Sequence, residues 1–122
     1  MTFDYPVLTL SVLNEIIKDG LEQAPPIKRI GLIGSYAREE ATHTSDVDLI
    51  IDTEPQHFEA TLASFGNYVS YVLDSQFNKR LELVPLELAQ ERAVIEPPSI
   101  EKWYYRDGYR QMLQEVKWIY EK

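Results

Sequence analysis

The sequence predicts an α+β fold of the sandwich type, a small mixed β-sheet with helices packed on one face, and three features predict it. Ile30 to Ile33 is an apolar run of strand length that stops at Gly34-Ser35, a turn pair able to open a helix with its backbone N–H groups pointing outward. Asp46 to Asp52 is rich in branched apolar residues and reads as a second strand, with Asp46 and Asp48 on one face and Val47, Leu49 and Ile51 on the other. Around these strands apolar residues recur at helical spacing, so neighbouring strands are joined through helices and one sheet face is covered.

Taken in order, residues 1–7 contain Pro6 and no clear period, and read as a leader with one or two anchoring aromatics. From Thr9 to Gln23 the residues Val12, Leu13, Ile16, Ile17 and Leu21 mark an amphipathic helix, with Thr9 or Ser11 as its cap. Pro25-Pro26 stops it and aims the chain into the first strand, Lys28 to Ile33. Ser35 to Ala41 is a short helix, and Thr42-His43-Thr44-Ser45 loops back to the second strand. After Glu54-Pro55, a good helix start, the stripe Phe58, Leu62, Phe65, Val69 and Val72 predicts one long helix despite Gly66-Asn67; the rival is a strand from Tyr68 to Leu73. Leu81 to Val84 is a third strand ended by Pro85, with Glu82 facing away from Leu81 and Leu83. Glu87 to Val94 is a short helix, and Pro97-Pro98 a turn. Ser99 to Tyr120 reads as largely helical with a break at Asp107-Gly108.

The 122 residues suit one domain, spanning 1–122, with 44% hydrophobic and 26% charged residues as in an ordinary globular protein. No apolar run approaches the roughly 18 residues of a membrane span, and the N-terminus lacks a basic region followed by an apolar core, so a cytoplasmic location without membrane contact is expected. The absence of cysteine excludes disulfides, thiolate metal sites and a thiol nucleophile. A formal charge of −8, from 20 acidic and 12 basic residues, repels nucleic-acid backbones and argues against general DNA or RNA binding.

The chemistry concentrates in residues 30–52. Outward N–H groups at Gly34-Ser35 suit a phosphate. Two acids on one strand face repel each other, and a divalent cation with hard oxygen ligands is the natural offset. Glu82 completes the cluster if the third strand lies beside the second. Gly34-Ser35-Tyr36-Ala37-Arg38 followed by Ser45-Asp46-Val47-Asp48-Leu49 resembles the nucleotidyltransferases of the DNA polymerase beta superfamily, and more narrowly the minimal nucleotidyltransferases, small proteins often paired with a HEPN-domain toxin. In two places the chain departs from that pattern: Glu39 stands where the family commonly has Gly, and Glu82 takes the place of its third Asp.

The resemblance implies a polymerase beta palm-like fold and a transferase that moves AMP, or another NMP, from a triphosphate such as ATP onto a hydroxyl. It implies two Mg2+ ions roughly 3.5–4 Å apart, held by Asp46 and Asp48, with Glu82 on the ion beside the acceptor. It also implies a nucleotide seat built from Gly34, Ser35, Arg38 and Ser45, with Arg38 adding a charged fork to the phosphates. The implied acceptor is a tyrosine of a HEPN toxin, which would make the protein a type VII-like antitoxin acting by AMPylation. A rival reading is an antitoxin that neutralises its partner by contact alone; a third is a magnesium-dependent nucleotide sensor.

Other conspicuous residues take structural readings. Asp52 is a strand-end surface acid, and His43 and His57 are exposed. Lys79 and Arg80 have a phosphate or acceptor contact as their alternative. The aromatics Trp103, Tyr104, Tyr105, Tyr109, Trp118 and Tyr120 suit core and a subunit or partner interface, which leaves a homo-oligomer open.

Overall fold

The computed structural model describes residues 5–22, 25–94 and 100–122, and within the last stretch the side chains from Arg106 onward. The expectations for residues 1–4, for the helix end at Gln23, for the Pro97-Pro98 turn and for the side chains of Trp103, Tyr104 and Tyr105 lie outside the described residues. Four strands form one mixed sheet: β1 (Arg29–Ile33), β2 (Val47–Asp52), β3 (Leu81–Pro85) and β4 (Lys117–Glu121), in the order β3-β2-β1-β4. The pairs β1–β2 and β1–β4 are antiparallel, whereas β2–β3 is parallel. A parallel pair needs a long crossover, and residues 55–77 supply it.

That crossover is one continuous helical run, as its apolar stripe predicts. A 3-10 turn (Pro55–His57) leads into α3 (Phe58–Thr61), a π-helical stretch (Leu62–Gly66) and α4 (Asn67–Phe77). The Gly66-Asn67 interruption appears as the end of the π stretch, not as a break. With α1 (Leu10–Leu21), whose N-terminus is capped by Thr9 accepting from the Val12 N–H at 3.2 Å, this run packs on the first sheet face. Leu13, Ile16, Ile17, Phe65, Val69 and Leu73 meet Ile30, Leu32, Val47, Leu49 and Ile51 there in the main core. The buried stripe of α1 is centred on Leu13, Ile16, Ile17 and Gly20, so Val12, expected inside, is exposed.

The α+β class and mixed sheet are as expected, but helices cover part of the second face too. There α5 (Leu86–Val94) and α6 (Ile100–Glu115) bring Leu86, Ala89, Met112 and Leu113 onto Ile33, Ile50 and Val84. Two expectations for the C-terminus are overturned. First, α6 runs through Gly108 without a break. Second, Lys117 to Glu121 is a strand, because the open edge of β1 offers backbone partners that a longer helix would leave unmet. Trp118-Ile119-Tyr120 also suits a pleated edge. Trp118 stacks on the Arg29 guanidinium, 4.0 Å from ring centroid to Cζ.

The helix α2 (Gly34–Ala37) is shorter than the expected Ser35 to Ala41. Glu39 ends it, at φ 59°, in the left-handed region. The Glu39 N–H donates to Tyr36 O at 3.3 Å and the Glu40 N–H to Ser35 O at 2.9 Å, the two bonds of a Schellman cap whose left-handed position normally holds glycine.

Candidate active site

Strand parity sets the site. With Val47, Leu49, Leu81 and Leu83 turned to the main core, Asp48 and Glu82 emerge on the second face. The β2–β3 register makes them direct partners across the parallel pair. Their carboxyl groups are close enough to hydrogen-bond, and burial first, then the neighbouring Glu82 and Asp46 charges, push the Asp48 carboxyl up to about 6. Arg38 opposes this shift only in part.

Gly34 sits against Asp48 and has φ +71°, a conformation that side chains disfavour. A Cβ there would lie 2.6 Å from Asp48 Oδ2, so the turn accepts no larger residue without pushing the acid aside. Gly34, Arg38, Asp48, Glu82, Met112 and Glu115 line a cleft of about 190 Å³ with the apolar end of β3. This is smaller than the roughly 300–1,000 Å³ of most small-molecule sites.

Glu115, at the end of α6, explains part of that deficit. Its Oε1 accepts from the Gly34 N–H at 3.3 Å and from Arg38 Nη1 at 3.0 Å. The backbone and guanidinium donors that suit a phosphate are therefore held by a carboxylate of the same chain. The second Arg38 ion pair, Nε to Glu40 Oε2 at 3.1 Å, is exposed.

The remaining candidates lie further out. Asp46 immediately precedes β2, is exposed, does not line the cleft, and its Oδ1 accepts from the Arg80 N–H at 3.1 Å. Ser45 Oγ accepts from the Thr42 N–H at 2.8 Å, which makes that hydroxyl a brace within the loop. Ser35 is half-buried beside Gly34. Lys79 departs from its phosphate alternative: the side chain is 4% exposed and its ammonium points inward to backbone carbonyls. Asp52 is a strand-end acid, paired with Arg29 Nε at 2.9 Å. Sequence reasoning missed Glu115, since nothing local to α6 marks it.

Among the described residues no three acidic or histidine side chains close into a ready-made metal shell. The donor chemistry nonetheless fits a hard divalent cation: two carboxyl groups in contact, with a third acid near enough to shift Asp48, hold negative charge that the chain only partly offsets.

The chain belongs to the nucleotidyltransferase domain family, whose model matches residues 13–116. The mixed sheet with paired acids beside a glycine turn agrees with the family match. Two relatives from Methanocaldococcus jannaschii bear the name "Putative protein adenylyltransferase". MJ0126 is 39% identical over 69 residues, covering 54% of this chain and 70% of its own, and MJ1217 is 40% identical over 68 residues, covering 53% and 69%. A crystal structure of a toxin–antitoxin with AMP-PNP is 17% identical, with a TM-score of 0.43 over 83% of this chain and 86% of that one; at that score the likeness carries no argument. Among the described residues no helix is long and apolar enough to cross a membrane.

Proposed function

We propose that this nucleotidyltransferase moves AMP from ATP to a hydroxyl of a protein partner, with Asp48 and Glu82 at the reacting end of the cleft and Gly34, Ser35 and Arg38 at the phosphate end. The observation that carries the proposal is the contact of Asp48 with both Glu82 and the Gly34 turn, which would bring acceptor and phosphate chemistry to one point. Family membership and the names of the M. jannaschii relatives support the choice of a protein acceptor. We further assign a HEPN-domain toxin as partner, a tyrosine as acceptor and an antitoxin role, which the motif's resemblance to minimal nucleotidyltransferases supports.

In the reaction the acceptor oxygen forms a bond to the α-phosphorus while the bond from that phosphorus to the bridging oxygen breaks, and pyrophosphate leaves. The hydroxyl proton passes to a carboxylate of the Asp48–Glu82 pair, which lines the cleft. Asp48 and Glu82, with Asp46 from just before β2, would hold Mg2+, which supplies charge neutralisation and an acidified acceptor hydroxyl. Arg38 and the Gly34 N–H, once released by Glu115, donate to the departing phosphates. Ser45 is better assigned to the loop than to nucleotide.

Incubation with α-labelled ATP, Mg2+ and the co-purified partner tests the proposal. Label on a partner tyrosine that falls by at least about 1,000-fold in Asp48→Ala supports it. A partner that is inhibited but never labelled supports contact antitoxicity, a reading favoured by Glu115 already filling the phosphate donors.

A further inference from the structure

Among the described residues, the hydrogen bonds that tie the loop delivering Asp46 to the rest of the domain are concentrated at one place. Residues 41–44 are exposed, and the bonds of Thr42 with Thr44 and Ser45 stay within the loop. Those that tie it to the domain come from Lys79 and Arg80, just before β3. Lys79 Nζ donates to Ser45 O at 2.6 Å, His43 O at 3.1 Å and Thr42 O at 3.4 Å, and lies 5.8 Å from the centroid of the buried Tyr36 ring in α2. An ammonium has three donors, and here three carbonyls converge on it.

The chain places this group with care. Asn78, at φ 53°, closes α4 with its N–H on Asp74 O, and the Lys79 N–H returns to Leu73 O, which turns the lysine side chain inward. Next door, the Arg80 N–H holds Asp46 Oδ1 and Arg80 O accepts from the Val47 N–H. The shortest of the three bonds goes to Ser45 O, one residue before Asp46.

We propose that Lys79 is a positioning residue for the cation end of the site: by gathering the carbonyls of residues 42, 43 and 45 it sets the backbone from which Asp46 reaches toward Asp48 and Glu82. This rests on the transferase reading for its purpose, and on the cage alone for its geometry. A lysine serving only to fill the core would contribute to stability and leave cation affinity unchanged. One that positions Asp46 is an outer-shell partner of the cation, and loss of such a partner weakens metal binding by about 10–100-fold.

The test uses Mn2+ as the probe, counted by the electron paramagnetic resonance of the free ion, together with hydrogen–deuterium exchange across residues 42–46. Lys79→Met keeps the apolar stem and removes the donors; Lys79→Gln keeps one donor and provides the same comparison should the first variant not fold. Asp48→Asn is the reference for a lost ligand. The expected result is a folded Lys79 variant that binds Mn2+ at least about 10-fold more weakly than the unaltered protein, with faster exchange in the loop. A folded variant with a lowered melting temperature but unchanged Mn2+ affinity and loop exchange overturns the proposal. If the unaltered protein takes up no Mn2+ and labels no partner, the transferase reading falls on its own. The exchange comparison then still decides whether Lys79 holds the loop, with unchanged exchange overturning that role as well.

Discussion

Glu39 is a residue whose chemistry and backbone disagree. A left-handed φ of 59° at a Schellman cap costs an L-residue about 1 kcal/mol relative to glycine, and the exposed Glu39–Lys117 pair at 3.8 Å contributes little against it. Glu39→Gly should therefore raise stability by about 1 kcal/mol, read as a higher denaturation midpoint in urea. Asp48 is strained in another way. Its folded pKa, about 6, lies above the ordinary aspartate value of 3.8, so the folded state favours the protonated acid. The charged form at pH 7 is a burden on the fold, relieved as pH falls through 6 toward 4. Asp48→Asn removes that burden and can still donate to Glu82. It should raise the melting temperature at pH 7 by roughly 5 °C while abolishing transfer, the trade expected where a site is held against stability. Calorimetry beside the labelling assay checks both halves. The turn of Asp48 away from the main core was legible in the sequence because it depends only on strand alternation. The inward turn of Lys79 was not, because it depends on a left-handed Asn78 and on carbonyls 34 to 37 residues earlier in the chain.

Among the elements, α6 and β4 decide what the cleft can do. Their junction lies close above β1, since a Cβ on Gly31 would fall 2.3 Å from Val116 Cγ2. That proximity carries Glu115 onto Gly34 and Arg38, where its carboxylate competes with any incoming phosphate. Glu115→Gln keeps the size and removes the charge, leaving Arg38 more available. A charge-assisted bond contributes about 1.5–3 kcal/mol, so ATP affinity measured by titration calorimetry should tighten by about 10-fold. Unchanged affinity would mean that nucleotide binds elsewhere. The long crossover helix was legible, because a stripe repeated over residues 58–72 outweighs one glycine. The strand β4 was not: Trp118-Ile119-Tyr120 continues a helical pattern as readily as it starts an edge strand, and the bare edge of β1 decides between them.

Across the whole molecule, a charge of −8 and the mutual repulsion of Asp48, Glu82 and Asp46 make stability depend on protons and cations together. Melting temperature without metal should rise as pH is lowered from 7 toward 5, because Asp48 takes up its proton and the net self-repulsion falls. At pH 7, millimolar Mg2+ should raise it too, by binding only the folded state. In Asp48→Asn the Mg2+ response should vanish and the pH response shrink; scanning fluorimetry over both variables reads all of this. By itself the sequence determined the α+β class, the first three strands, the glycine–serine turn and the acids of the second and third strands. Those follow from periodicities of two and about 3.6 residues and from turn chemistry, which act over a few neighbours. Only the tertiary structure decided that Asp48 meets Glu82 in register, that Lys79 gathers the loop before Asp46, that Glu115 holds the Gly34 N–H and the Arg38 guanidinium, and that residues 117–121 add a strand to the edge of β1. Each is a contact between segments far apart in sequence, chosen by which donors, acceptors and strand edges the folded core leaves open.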